Sequence, residues 1–131
     1  MANGILKGKR GIIFGALDSK SIAWKVAEAA YAEGAEIVLT NAPIALRMGT
    51  INELAEKIGA KVIPADATSM DDLKALYKGA IDHLGGKIDF VLHSIGMSVN
   101  VRKGKKYYEQ NYDWTMKGYD VSALSFHKTM Q

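Results

Sequence analysis

The sequence predicts an α/β fold built on a parallel sheet, and three observations predict it. Short apolar runs alternate with stretches that repeat apolar residues at helical spacing. The last of these runs, Phe90-Val91-Leu92, is apolar on both faces, as a parallel strand covered by helices on either side is. The first run, Ile12-Ile13-Phe14, ends at Gly15 and passes through a polar turn into an Ala-rich helical pattern opening at Ser21-Ile22. Strand, glycine turn and helix start are how an open α/β sheet builds a site for a dinucleotide pyrophosphate. The glycine lets backbone approach the phosphates, and the first free N–H groups of the helix point at them. Asp18 in the turn offsets part of that positive field. The turn alone is common in proteins that bind no phosphate, so its weight comes from residues further along the chain.

The first strand is predicted over residues 11–14. The first helix covers 21–33, with Ile22, Val26, Ala29 and Ala30 on one face and Gly34 as its stop. The second strand is 36–40. A loop with Pro43 leads to a second helix, in which Ile51, Leu54, Ala55 and Ile58 recur at helical spacing before Gly59. The third strand is 61–64, and its Pro64 points to an edge or an end. Ser69-Met70-Asp71-Asp72 signals a helix start. Leu73, Leu76, Tyr77, Ala80, Ile81 and Leu84 form the buried stripe of that helix, ended by Gly85-Gly86. The fourth strand is 88–93. A loop over residues 96–110 precedes a last helix from Tyr112 to Gln131, whose Trp114, Val121, Leu124 and Phe126 are expected mostly to cover the fourth strand.

Four strands separated by helices give a Rossmann-type doubly wound parallel sheet with right-handed crossovers and the order 3-2-1-4. That order leaves the apolar fourth strand at an edge, where nothing in the sequence blunts it. Residues 1–131 are therefore expected to be the N-terminal part of a single larger domain whose remaining strands are absent from this chain. A compact four-stranded domain capped by the last helix is the alternative.

Composition narrows the function. With 131 residues there is room for one domain, and no cysteine means no disulfide, thiolate nucleophile or Cys-based metal site. Three histidines without ligand spacing argue against a metal centre. The net charge of +3 is too mild for a nucleic-acid binder, and the short basic runs at 7–10 and 102–106 read as solvated surface. No signal-peptide core or bilayer-length apolar run is present, so a cytoplasmic protein without membrane or nucleic-acid partners is expected.

Three places at the carboxyl edge of the sheet carry candidate chemistry. At the end of the second strand, Thr40-Asn41-Ala42-Pro43 offers neither an acid for ribose hydroxyls nor a cation for a 2′-phosphate. This favours NADH over NADPH, although Arg47 could swing in, and the stretch reads equally well as an ordinary polar loop. Asp66, after the third strand, can accept from an adenine amino group or simply serve a turn. After the fourth strand, His93-Ser94-Ile95-Gly96 offers close approach at Gly96 and an apolar wall at Ile95. His93 reads as structural rather than catalytic, because no Asp or Ser is placed to complete a triad.

Gly15 with Ser21-Ile22-Ala23, Asp66, and His93-Ser94-Ile95-Gly96 together resemble the bacterial enoyl-acyl carrier protein reductases of the short-chain dehydrogenase/reductase superfamily. The leader at residues 4–11 and the stretch Asp120-Val121-Ser122-Ala123-Leu124-Ser125-Phe126 resemble that family too, so the likeness runs through essentially the whole chain. Ordinary superfamily members carry a Gly-rich first turn and an Asn-Asn-Ala-Gly after strand four, both absent here.

The resemblance implies a fatty-acid synthesis enzyme that transfers hydride from NADH to the β-carbon of a trans-2-enoyl thioester on acyl carrier protein, working as a homotetramer. It assigns Gly15, Ser21 and Ile22 to the pyrophosphate and Ala42 to the adenosine ribose. Asp66 and Ala67 fall to the adenine, and Ile95 and Gly96 to the ribose and nicotinamide. Met97 and Ser98 line the acyl pocket, and Val121 packs near the nicotinamide. The basic run at 102–106 is a candidate contact for an acidic acyl carrier protein. The family's catalytic pair, a tyrosine followed seven positions later by a lysine, has no counterpart among the tyrosines at 31, 77, 107, 108, 112 and 119. No catalytic residue is assigned in this chain, which is expected to be inactive by itself. Rival readings are another short-chain reductase acting on a ketone or alcohol, and a non-catalytic nucleotide-binding module.

Overall fold

The computed structural model describes residues 2–131. Its elements run β1 (Arg10–Phe14), α1 (Ile22–Ala32), β2 (Glu36–Thr40), α2 (Pro43–Met48), α3 (Ile51–Ile58), β3 (Lys61–Val62), α4 (Met70–Leu84), β4 (Phe90–His93), α5 (Val99–Arg102), a 3-10 turn (Tyr107–Glu109), α6 (Tyr112–Tyr119), a π turn (Asp120–Leu124) and α7 (Ser125–Met130). The four strands are all parallel and lie in the order β3-β2-β1-β4, as the alternation of elements predicts.

Side-chain alternation along β1 sends residues to opposite faces of the sheet and so builds two cores. On one face Ile13, with Ile37 and Leu39 of β2, packs against Trp24 and Ala27 of α1 and Leu54 and Ile58 of α3. On the other face Ile12, Phe14 and Val38 pack against Leu73, Leu76 and Ala80 of α4. Ser69 caps α4 by accepting from Asp72 N at 3.2 Å, and Gly85 closes the helix in the left-handed conformation, so both expected boundaries hold.

Several expectations need correction. The buried stripe of α1 is Ala23, Trp24, Ala27 and Ala30, whereas Ile22 and Ala29 face solvent. Small residues at 23, 27 and 30 allow the helix close to the sheet, and that contact outweighs burial of the larger Ile22. Pro43 opens α2 instead of lying in a loop, because a first helical position needs no N–H donor. Strand β3 stops at Val62, before Pro64. Strand β4 starts at Phe90, because Asp89 is clamped to Arg10 through backbone and carboxylate hydrogen bonds of 2.7 and 2.9 Å. Ile81 leaves the α4 stripe and is exposed.

The region after β4 is more structured than a plain loop, since it contains α5 and the 3-10 turn. The last helix is broken by the π turn, which rotates Ser125 and Thr129 inward and leaves Leu124 and Phe126 about half exposed, at 56% and 51%. These residues therefore cover β4 only in part, and all four residues of β4 stay partly exposed rather than sealed on both faces. Among the described residues, no helix is long and apolar enough to cross a membrane.

Candidate functional site

The chain leaves β1 towards β2 on one side and reaches β4 on the other, so the order in which strands are added reverses between β1 and β4. In open α/β sheets ligands bind at the carboxyl ends of the strands flanking such a reversal. Phe14 and His93 end these two strands in register, and the loops that extend from them touch each other. Gly15 has φ +96°, and a Cβ on it would sit 1.9 Å from the Ser94 carbonyl oxygen. Only glycine satisfies both that backbone angle and that approach. Gly15 N also donates to Thr40 O at 3.2 Å, so this residue joins the ends of β1, β2 and β4. Its first role is thus to let three strand ends converge.

Ser21 occupies the N-cap position of α1 but does not cap it. Its hydroxyl turns back into the preceding turn, accepting from Leu17 N (3.0 Å) and Asp18 N (2.9 Å) and donating to Asp18 O (2.7 Å). The turn is thereby self-satisfied. The opening amides of α1, at Ile22 and Ala23, find no acceptor among the described residues, and the first turn of the helix carries no acidic residue. Free, aligned N–H groups at a helix start, with the partial positive charge of the helix dipole, are the elements of an anion site. The exposed Ile22 side chain stands beside them.

At the end of β2, Asn41 holds the adjoining loops together. Its Nδ2 donates to Ala16 O (3.0 Å), its Oδ1 accepts from Ala42 N (2.9 Å), and its carbonyl accepts from Ala65 N (3.1 Å). Ala42 itself is half-buried at the N-cap of α2. The tethering role of Asn41 was not legible in the sequence, where an Asn before Ala-Pro reads as an ordinary polar loop. Arg47 lies exposed at the far end of α2.

Asp66 is exposed and organises its own turn. Its Oδ1 accepts from both Thr68 N (2.8 Å) and Thr68 Oγ1 (2.7 Å), while its N–H donates to Asp72 Oδ2 (2.9 Å). The hydrogen bonds from Thr68, helped by the charges of Lys117 and Lys128, hold its carboxyl below the ordinary aspartate range. Ala67 beside it is buried against the α4 face of the sheet.

Along the loop after β4, Ile95 packs on that same core, whereas Gly96 is exposed and a Cβ on it would meet nothing within 4 Å. The space over Gly96 is open. Met97 is clasped by Ser122 of the π turn, which accepts from Met97 N (2.9 Å) and donates to Met97 O (3.2 Å). Ser98 caps α5 by accepting from Val101 N at 3.3 Å. Val121, next to Ser122 in the π turn, is partly exposed.

His93 has a serine partner that its sequence neighbourhood does not reveal. Its Nε2 lies 2.7 Å from Ser125 Oγ, which donates its proton to Val121 O at 2.6 Å. Since a hydroxyl has one proton to give, Nε2 carries the proton in this contact. Burial lowers the pKa of His93, which favours the neutral ring. Ser125 is fully buried with its proton committed to the backbone, so the pair is structural and not a nucleophile with its base. The edge of the His93 ring meets Phe126 with centroids 5.5 Å apart.

Gly15, Ser21, Ile22, Ala42, Asp66, Ala67, Ile95 and Gly96 thus all fall on the carboxyl-edge loops of one sheet. A dinucleotide fits the chemistry of this edge: free helix amides for the pyrophosphate, a carboxylate with its Oδ2 open, and clear space over Gly96. A cavity of about 650 Å³ lies elsewhere, between β4, α4 and α7, and none of the expected site residues lines it.

Residues 15–131 match the family model for enoyl-(acyl carrier protein) reductase. One curated relative, an NADH-dependent enoyl-[acyl-carrier-protein] reductase of Rhizobium meliloti, is 36% identical over 95% of this chain and 46% of its own length. The corresponding enzyme of Mycolicibacterium smegmatis is 30% identical over 94% of this chain and 46% of its own length. Among solved structures, the FabI–NADH complex of Alistipes finegoldii is 60% identical and superposes with a TM-score of 0.95 over 98% of this chain and 45% of that one. The chain therefore spans about half the length of the relatives it matches. A four-stranded sheet whose strand order reverses between β1 and β4, a Gly15 turn opening on free helix amides and the His93–Gly96 loop agree with the family match, and this chain belongs to the enoyl-(acyl carrier protein) reductase family.

Proposed function

We propose that residues 1–131 form the cofactor side of a single-domain, NADH-dependent enoyl-acyl carrier protein reductase of fatty-acid synthesis. The observation that carries this reading is the start of α1, where Ser21 satisfies its own turn and leaves the Ile22 amide without a protein acceptor among the described residues, where the strand order reverses. Bound there, NADH supplies a hydride for the β-carbon of a trans-2-enoyl thioester. Ile22 holds the pyrophosphate, with Gly15 setting the turn and Ser21 keeping the Ile22 amide free. Ala42 faces the adenosine ribose, Asp66 and Ala67 receive the adenine, and Ile95 and Gly96 flank the nicotinamide half. Met97 and Ser98, fixed by Ser122 and by the start of α5, line the acyl side. The absence of a cation at Asn41-Ala42-Pro43 supports NADH over NADPH.

An enoyl reduction builds negative charge on the thioester oxygen, and a donor aimed at that oxygen supplies much of the rate. The tyrosine–lysine spacing that provides the donor in this family is not found in these residues. The intact enzyme is read as a cytoplasmic homotetramer. Its substrate arrives on acyl carrier protein, for which the exposed run from Arg102 to Lys106 offers positive charge.

Fluorescence titration with NADH, paired with absorbance at the NADH band in the presence of a crotonyl thioester, tests this reading. Saturable NADH binding without oxidation is expected of this chain. Absence of binding would contradict the cofactor reading, and turnover would contradict the placement of the catalytic pair outside these residues.

A further inference from the structure

The Asp66 turn is held from outside by the last helix. Lys128 of α7 reaches back to donate to Thr68 O at 3.0 Å, and its ammonium lies 3.5 Å from Asp120 Oδ1. Asp120 in turn lies 3.9 Å from Lys117 on α6. A second tether, Tyr77 OH to Thr129 O at 2.6 Å, fixes α7 to α4 and keeps Lys128 in place. Thr68 is therefore gripped from both sides, by Lys128 at its carbonyl and by Asp66 Oδ1 at its N–H and hydroxyl. The grip commits Oδ1 and leaves Oδ2 of Asp66 without a partner among the described residues. Lys117 and Lys128 both favour the ionised form of that carboxyl.

We infer that Lys128 is a positioning residue that orients the Thr68 turn, so that Asp66 presents an ionised Oδ2 to the amino group of adenine. The inference deepens the dinucleotide reading and rests on it. An ionised carboxylate only accepts, so it takes a 6-amino group and repels a 6-oxo group. Lys128 therefore acts on discrimination at one position of the base, not merely on overall affinity.

The test is a pair of fluorescence titrations, one with NADH and one with its hypoxanthine analogue, which carries a 6-oxo group. The protein is expected to favour NADH by about tenfold, the scale of one charge-assisted hydrogen bond. Lys128→Met keeps the apolar stem and should bring the ratio to within about twofold of unity. Lys128→Arg, which retains the donor and the charge, should restore most of it. A purely structural role would weaken both ligands in Lys128→Met and leave the ratio intact, which would overturn the inference. If Lys128→Met does not unfold cooperatively, Asp120→Asn releases the ammonium while keeping the lysine. A lowered ratio there supports the inference, and an unchanged one overturns it. Failure of the parent protein to bind either ligand would instead remove the dinucleotide reading. Equal binding of both would overturn the adenine contact and the inference with it.

Discussion

Strands β1 and β4 are near equivalents in sequence and opposites in surroundings. Ile12-Ile13-Phe14 and Phe90-Val91-Leu92 are apolar triplets paired in parallel, with Ile12 opposite Val91 and Ile13 opposite Leu92. Yet Ile12, Ile13 and Phe14 are at most 1% exposed, while every residue of β4 remains partly accessible. The first strand has neighbours on both edges and helices on both faces. The fourth has β1 on one edge only, and the cavity lined by Phe90, Val91, Phe126 and Met130 opens between it, α4 and α7. An apolar triplet states that a strand can be buried, and only its neighbours decide how far it is. The contrast also separates the two parts of the molecule by role, because the fixed loops of the candidate site gather where β1 is best packed.

The largest effect should come from deleting the same side chain on the two sides. Leu39, fully buried beside β1, should lose about 3–4 kcal/mol of stability on mutation to alanine. Leu92→Ala on β4 should cost about half as much or less, since its site is already partly solvated. Urea denaturation of both variants measures the difference, and equal losses would break the comparison.

The glycines beyond the two strands should separate fold from ligand binding. Gly15→Ala meets the Ser94 carbonyl and a left-handed backbone, so it should destabilise by about 2–3 kcal/mol and abolish NADH binding. Gly96→Ala meets nothing within 4 Å among the described residues and should leave stability within about 0.5 kcal/mol. Its methyl enters the space assigned to the cofactor, so NADH affinity should fall by about tenfold or more. Unfolding and NADH titration on the two variants read the two effects independently.

A smaller effect concerns His93, the polar end of β4 opposite Phe14. Burial lowers its folded pKa, so the folded state binds fewer protons than the unfolded chain. Its contribution is full above the unfolded value of about 6.5 and is lost as pH falls below that value through the folded pKa. Stability should therefore decline on going from pH 7 to pH 5, and His93→Asn should flatten that slope. An unchanged slope in the variant would show that His93 is not the titrating group.

Much of the fold was legible because periodicity and strand propensity agree with it. Ile51, Leu54, Ala55 and Ile58 are buried as their spacing predicts, Ser69 caps its helix, and the strand order arises from the alternation of elements. The stripe of α1 was misread because close helix–sheet contact selects alanines over a larger residue at the helix start. The π turn was invisible because its cause is tertiary: Ser122 grips Met97, and Ser125 meets His93 from 32 positions away. The candidate site was legible as a set of residues at strand ends. How they are held was not, since Asn41 and Lys128 act through backbone carbonyls that carry no sequence signal.

On this geometry a dinucleotide binds where β1 and its opening helix meet the loop after β4, and not in the cavity between β4, α4 and α7. Backbone amide NMR during titration with NADH tests it most directly. The largest shifts are expected at Gly15, Ile22, Asp66 and Gly96, with Val91 and Met130 unmoved. Shifts concentrated at Phe90, Val91, Phe126 and Met130, with the amide of Ile22 unchanged, would contradict it.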